Sequence, residues 1–410
     1  MDNKVIYFDN NATTAVAREV MESMLPFLTE LYGNPSSIHH FGGQVMAHID
    51  NARERLAALL GASPTEVIFT SCGTESDNAA LWSAILTQPT RRKLVISQIE
   101  HPAILNTAKE LERRGTHVSI IPVDGNGRLD MEKAREEIDE NTALVSIMWA
   151  NNEIGNIFPV RELAEIAHSK GALFHTDAVQ AVGKVPINLK EDGIDFLSLS
   201  GHKLHAPKGV GALYVRRGVR FHPFVQGGHQ ESGRRAGTEN VASIVGLGMA
   251  AELAKANMET EQKYVRSLRD ELEQGVIATI PSIRVNGDTE HRLPNTTNIS
   301  FEYVEGESIL MLLDQFGICA SSGSACTTGS LEPSHVLRAM GLPYTAAHGA
   351  IRFSLSRYNT IEEVRFTLEK LPPIIARLRE ISPYWQSTIA ASKPACCKIG
   401  DCCKKGDCRK

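Results

Sequence analysis

No uninterrupted apolar run of about 18 residues occurs in the chain, so the sequence offers no membrane-spanning helix. Excess charge is also missing. The 43 lysines and arginines nearly balance 48 aspartates and glutamates, and a formal net charge of -5 over 410 residues gives no footing for a nucleic-acid or membrane partner. The first ten residues lack the basic start and apolar centre of a signal peptide, so a cytoplasmic chain is expected. Cysteine is sparse where it would have to staple a fold. Cys72, Cys319 and Cys326 are scattered through the body, too few for a disulfide framework and in keeping with a reducing compartment. The other five, Cys396, Cys397, Cys402, Cys403 and Cys408, crowd the C-terminus.

What is present is an ordinary globular composition, 42% hydrophobic and 22% charged, in a chain longer than the roughly 250–300 residues one core sustains. At least two structural units follow. Between residues 42 and 218, runs rich in valine and isoleucine read as strands at 66–70, 93–97, 117–121, 143–148, 172–175, 196–200 and 211–215. Helix-period segments such as 75–86 and 160–170 separate most of them. That alternation predicts an α/β fold with a mostly parallel sheet covered on both faces, and ligands gathered at the strands' carboxyl ends. Beyond about residue 250 come a charged helix at 258–272, strands at 298–303 and 349–354, and helices at 307–315 and 361–380. The expected division is a large domain over 14–255, a smaller α+β domain built from 1–13 and 256–385, and a linker with a Cys-rich tail over 386–410.

Several polar groups stand directly after apolar strands. Ser198-Leu-Ser-Gly-His-Lys203 puts a lysine at the sheet's carboxyl edge, where an amine can form a Schiff base with an aldehyde cofactor. In Phe174-His-Thr-Asp177-Ala-Val-Gln180 an aspartate closes another strand. Asp177 reads either as a helix cap or as the carboxylate that keeps a pyridine nitrogen protonated. Gln180, and Asn152 in Trp149-Ala-Asn-Asn152, could each hydrogen-bond the phenolic oxygen of such a ring. Thr70-Ser-Cys-Gly73-Thr74-Glu-Ser76 offers amides and hydroxyls at a strand-to-helix turn, suited to a phosphate or simply to capping. His101, before Pro102, reads as a loop histidine or as an imidazole stacked on the ring. Ala320-Ser-Ser-Gly-Ser-Ala-Cys326-Thr-Thr-Gly-Ser330 is small and polar enough to read as a loop that presents a thiol nucleophile.

These segments, with Asp9-Asn-Asn-Ala-Thr-Thr14, Gly33-Asn-Pro-Ser-Ser37, Glu100-His-Pro102 and Arg235-Ala-Gly-Thr-Glu239, resemble the cysteine desulfurases of the NifS/IscS type, NifS most closely. The likeness runs in unbroken order from about residue 7 to 385. It implies a fold type I homodimer that uses pyridoxal 5′-phosphate (PLP), with Lys203 as the Schiff-base lysine, His101 on the ring, Asp177 on its nitrogen, and Asn152 and Gln180 at its edge. It further implies that Gly73, Thr74, Ser200 and His202 hold the phosphate and that Thr238 reaches it from the neighbouring subunit. Arg352 would clamp the substrate carboxylate, with Asn152 beside it. The implied reaction moves sulfur from L-cysteine to Cys326 as a persulfide, leaves L-alanine, and delivers the sulfur to an iron–sulfur scaffold protein, where the Cys326 persulfide meets metal.

Arrangements of other kinds remain open on this reading. The same scaffold serves selenocysteine lyases, and the chain could instead be a thiol-rich metal-handling protein working through its tail. That tail departs from the family pattern: Cys-Cys-Lys-Ile-Gly-Asp at 396–401 is followed by Cys-Cys-Lys-Lys-Gly-Asp at 402–407. Soft metal binding, sulfur relay from Cys326 and an extension without a folded role all suit it.

Overall fold

The computed structural model describes residues 5–322 and 333–385; Cys326 and the tail cysteines lie outside them. Twelve strands are formed: β1 (Ile6–Tyr7), β2 (Val67–Thr70), β3 (Lys93–Ser97), β4 (His117–Ile121), β5 (Thr142–Ser146), β6 (Leu173–Asp177), β7 (Phe196–Ser200), β8 (Gly211–Val215), β9 (Ile283–Asn286), β10 (Thr296–Phe301), β11 (Ile318–Cys319) and β12 (Ala350–Ser354).

Seven of these build one sheet in the order β2-β8-β7-β6-β5-β3-β4. The pairs from β4 across to β7 are parallel, while β8 runs antiparallel to both β7 and β2, so six strands share a direction and β8 opposes them. Strands β2, β3, β5, β7 and β8 are buried at every position, as expected for strands covered on both faces. Helices Gly73–Thr87, Pro102–Arg113 and Val160–Ser169 connect them and pack on the faces. Because the parallel strands point the same way, the residues that follow β3, β6 and β7, namely His101, Asp177 and Lys203, arrive at one edge.

A single 39-residue helix, Val241–Thr279, runs from this unit into the next. Its early residues, among them Ile244, Leu247 and Ala254, belong to the hydrophobic cluster under the large sheet. Its later ones, Val265, Leu268, Leu272 and Val276, belong to a second cluster with Phe301, Ile351, Phe353 and Ile375. The expected boundary at 255/256 falls inside this helix, in the stretch between its last buried residue of the first half, Ala254, and the first of the second, Val265. Ile6 and Phe8 are in the second cluster too, and β1 pairs in parallel with β11. The N-terminal segment therefore crosses between the clusters, and Asn10 to Thr14 pass along the edge where the three site strands end.

Candidate active site

A cavity of about 400 Å³ opens at that edge, lined by residues that include Gly73, Thr74, His101, Asn152, Asp177, Gln180, Ser200, His202, Lys203 and Arg352. Ten of the residues singled out from the sequence thus meet in one place. Thr238 does not line it and is exposed, and Cys326 is outside the described residues.

Lys203 closes a 3-10 turn, Gly201–Lys203, directly after β7. Its Nζ donates to the Ala12 carbonyl at 2.7 Å and to the Asn11 carbonyl. Asp177 ends β6, accepting the Val179 N–H at 2.9 Å on Oδ1. Burial raises its pKa, with His101 and Lys203 opposing the rise. His101 caps the helix Pro102–Arg113 by accepting the Ala103 N–H on Nδ1 at 3.2 Å. Its pKa is lowered, first by burial, so the neutral ring carries its proton on Nε2.

One end of the cavity suits an anion. The helix Gly73–Thr87 starts there, and its N-cap residue Cys72 makes no side-chain capping bond, leaving the first-turn amides for another partner. A Cβ on Gly73 would sit 2.6 Å from Val179 Cγ2, so only glycine lets the helix start this close to the β6 end. Ser200 Oγ is buried there without a hydrogen-bond partner. His202 lies beside it, hydrogen-bonded through Nδ1 to Thr13 Oγ1 at 3.1 Å, with burial and then Lys203 pushing its pKa down to about 4.

At the other end stands Arg352 on β12, only 2% exposed. It donates to Asp9 Oδ1 at 2.6 Å and to the Asn152 carbonyl at 3.0 Å, and its buried Nε has no partner among the described residues. A guanidinium with a donor to spare beside a polar cavity can receive a carboxylate.

The model of the class-V aminotransferases matches residues 6–366. The chain belongs to that family. A relative from Azotobacter vinelandii, a cysteine desulfurase NifS, is 57% identical over 390 residues, covering 95% of this chain and 97% of its own. A cysteine desulfurase from Trichormus azollae is 59% identical over 380 residues, 93% of this chain and 95% of its own. Among solved structures, a NifS-like protein superposes with a TM-score of 0.86 at 42% identity, over 92% of this chain and all of its own. A structure of SspA in complex with cysteine gives 0.77 at 35% identity, over 87% and 100%.

In this class-V chain the site also holds groups that the sequence did not single out. Asp77, one turn into the helix Gly73–Thr87, lines the cavity, and its ligand atoms lie within 4.8 Å of those of His101 and Asp177. Its pKa is raised well above the carboxylate range, by burial first and by Asp177 next. His175 stands 3.7 Å away but cannot neutralise it, since burial pushes that imidazole down to about 3. The sequence carried no local signal for it, because the helix Gly73–Thr87 buries residues on several of its faces.

Glu100, next to His101, is wholly buried, and burial raises its pKa from 4.5 to about 8 despite hydrogen bonds from Ser97 and the Met148 N–H. Folding thus holds a proton that an unfolded glutamate releases. The stabilisation is full below pH 4.5 and is lost as pH rises through about 8. Replacing Glu100 by Gln keeps the acceptor and removes the titration. Across that window the wild type is expected to lose up to about 1.4 kcal/mol per pH unit relative to Glu100→Gln, read from urea midpoints at pH 5, 6.5 and 8. Parallel pH profiles for the two proteins would contradict the assignment.

Proposed function

We propose that the chain is a cysteine desulfurase that converts L-cysteine to L-alanine and keeps the sulfur as a persulfide on Cys326. The observation that carries this reading is the convergence of Lys203, Asp177 and His101 on one cavity in a chain 57% identical to a cysteine desulfurase NifS. The SspA relative, solved with cysteine, supports the same substrate.

The residues fit PLP. The unpartnered Ser200 Oγ, the uncapped start of Gly73–Thr87 and His202 suit its phosphate, and Asp177 suits its ring nitrogen. His101 serves the ring face, Asn152 and Gln180 its edge, and Lys203 its aldehyde. When bound, the cofactor supplies an electron sink for the carbon that carries the substrate amine.

The chain's own residues do the rest. Arg352 orients the cysteine carboxylate through its spare Nε donor, with Asn152 alongside. Among the described residues Lys203 is the one lysine lining the cavity, and it takes the proton from the substrate Cα. His101 Nε2 exchanges a proton with the substrate thiol. The Cys326 thiolate attacks that sulfur; an S–S bond forms, the Cβ–S bond breaks, and its electron pair stays with Cβ, which is protonated to the methyl group of alanine. Cysteine plus thiol gives alanine plus persulfide, so atoms and electrons balance without an added oxidant.

Both neighbours of the segment that carries Cys326 support this role. Ser321 exchanges backbone hydrogen bonds with Arg352 on one side, and on the other His335 Nε2 bonds the Glu100 carbonyl at 3.0 Å. The reading extends to a homodimer, supported by Thr238 being exposed and away from its own chain's cavity, and to an iron–sulfur scaffold protein as sulfur acceptor. No helix among the described residues is long and apolar enough to cross a membrane, which suits cytoplasmic work. Selenocysteine lyase activity finds less support, since the relatives named above are cysteine desulfurases.

Purified protein given PLP and L-cysteine is expected to release alanine and to carry cyanide-labile sulfane sulfur, each measured directly. Alanine without protein-bound sulfur, or neither product, overturns the proposal.

A further inference from the structure

Lys184 stands four residues beyond Gln180 in the turn that follows β6, and its hydrogen bonds among the described residues go to amide groups. Its Nζ donates to Gln180 Oε1 at 2.7 Å and lies 3.5 Å from Asn11 Oδ1. Gln180 in turn donates from Nε2 to the Asn11 carbonyl at 3.0 Å. The two bonds leave no choice of amide orientation: a carbonyl must face an N–H, and an ammonium must face an oxygen. Gln180 lines the cofactor cavity, whereas Lys184 does not; it borders a smaller adjoining cavity, with Glu261 and Gln262, that shares Lys203 with the first. So Gln180 Oε1 is turned away from the cofactor cavity, and the hydrogen of Nε2 that Asn11 leaves over is the amide's remaining polar group.

We propose that Lys184 is a positioning residue that locks the Gln180 amide so that the cofactor cavity meets an N–H donor there and not a carbonyl. The inference rests on the PLP reading of that cavity. PLP's phenolic oxygen is an anion when the ring nitrogen is protonated beside Asp177, and an anionic oxygen is held by a donor and repelled by a carbonyl. Without Lys184 the Asn11 carbonyl alone orients the amide, so the group is pinned at one atom instead of two and Oε1 loses its donor. Burial first, then Lys203 and Arg352, push the Lys184 ammonium down to about 7, which marks a site that spends solvation on a cation with only amide partners.

The test uses full-length protein stripped of cofactor and reloaded with PLP, in the wild type and in Lys184→Met, Lys184→Arg, Gln180→Ala and Lys184→Met/Gln180→Ala. The readouts are the PLP dissociation constant and the wavelength of the bound cofactor's visible band, with thermal unfolding of each unloaded variant as a folding control. Lys184→Met is expected to weaken PLP binding about tenfold, the size of one charge-assisted hydrogen bond, and to move the band. Lys184→Arg keeps a donor and is expected to restore both. In the Gln180→Ala background, Lys184→Met is expected to add less than about twofold, because the effect passes through the amide. The proposal is overturned if Lys184→Met leaves affinity and band unchanged while unfolding earlier, or if its effect is as large without Gln180 as with it. A wild type that takes up no PLP would instead sink the reading of the cavity itself.

Discussion

Lys203→Ala is expected to leave a folded protein that shows no covalently held cofactor band and forms alanine about 10⁴-fold more slowly or worse. The size follows from where the amine stands. Lys203 is delivered by the turn after β7 and is fixed by the Ala12 carbonyl at 2.7 Å. Lys184, the next amine, is bonded to Gln180 Oε1 and does not line the cofactor cavity, so it is not placed to take over the same atom. Losing one group therefore removes both the covalent anchor and the base for Cα. Absorbance after PLP addition and alanine release on cysteine addition check the two losses separately. Near-normal turnover would show that another group performs the Schiff-base role.

Cys326→Ala is expected to have the opposite signature: an intact visible band, which still responds to cysteine, and no sulfane sulfur on the protein. Alanine formation should fall about 10³-fold or more, since the Cβ–S bond then has no thiolate to receive the sulfur. None of the ten site residues that line the cavity is touched by the change. Labelled sulfur from cysteine, followed on the protein beside the alanine yield, separates the outcomes. Label appearing at the normal level on a cysteine of the 396–408 group would assign the nucleophile to the tail.

The large sheet was legible because its strands carry their own signal. Four of the seven, β3, β4, β7 and β8, begin and end where the apolar runs place them, and β5 and β6 start or stop within two residues. Each of those four is a short run of mostly apolar residues bounded by polar ones, glycine or proline, so length and punctuation agree. The helix beginning at Val241 was legible only in its charged half, from Met258 onward; the earlier part is rich in alanine and glycine, which carry little amphipathic pattern. The strand pair β1–β11 escaped notice, being two residues long on each side and joined across the chain.

The site divides in the same way. Lys203, Asp177 and His101 could be read because each stands at the end of a strand or within four residues past it, and an α/β sheet collects such positions at one edge. Asp77, Lys184 and Asn11 could not. Asp77 looks like any helix residue until His175 and Asp177 are packed against it, and Asn11 contacts Gln180, Thr296 and Ser354, partners 169 to 343 positions away. Local sequence does not carry information of that range.

Those long separations set a schedule for biosynthesis. Asn11 and Ala12 form a wall of the cofactor cavity, yet the Asn11 N–H is held by Ser354 Oγ and the segment before it by β11. A ribosome adding about 5–20 residues per second needs on the order of 20–70 s to travel from the first of these residues to the last. For the later part of that time, on the order of 8–30 s between Lys203 and Ser354, the nascent chain has the lysine-bearing strand end but not the partner that fixes the wall beside it. The cofactor cavity is thus completed late in synthesis, only after β12 has been made.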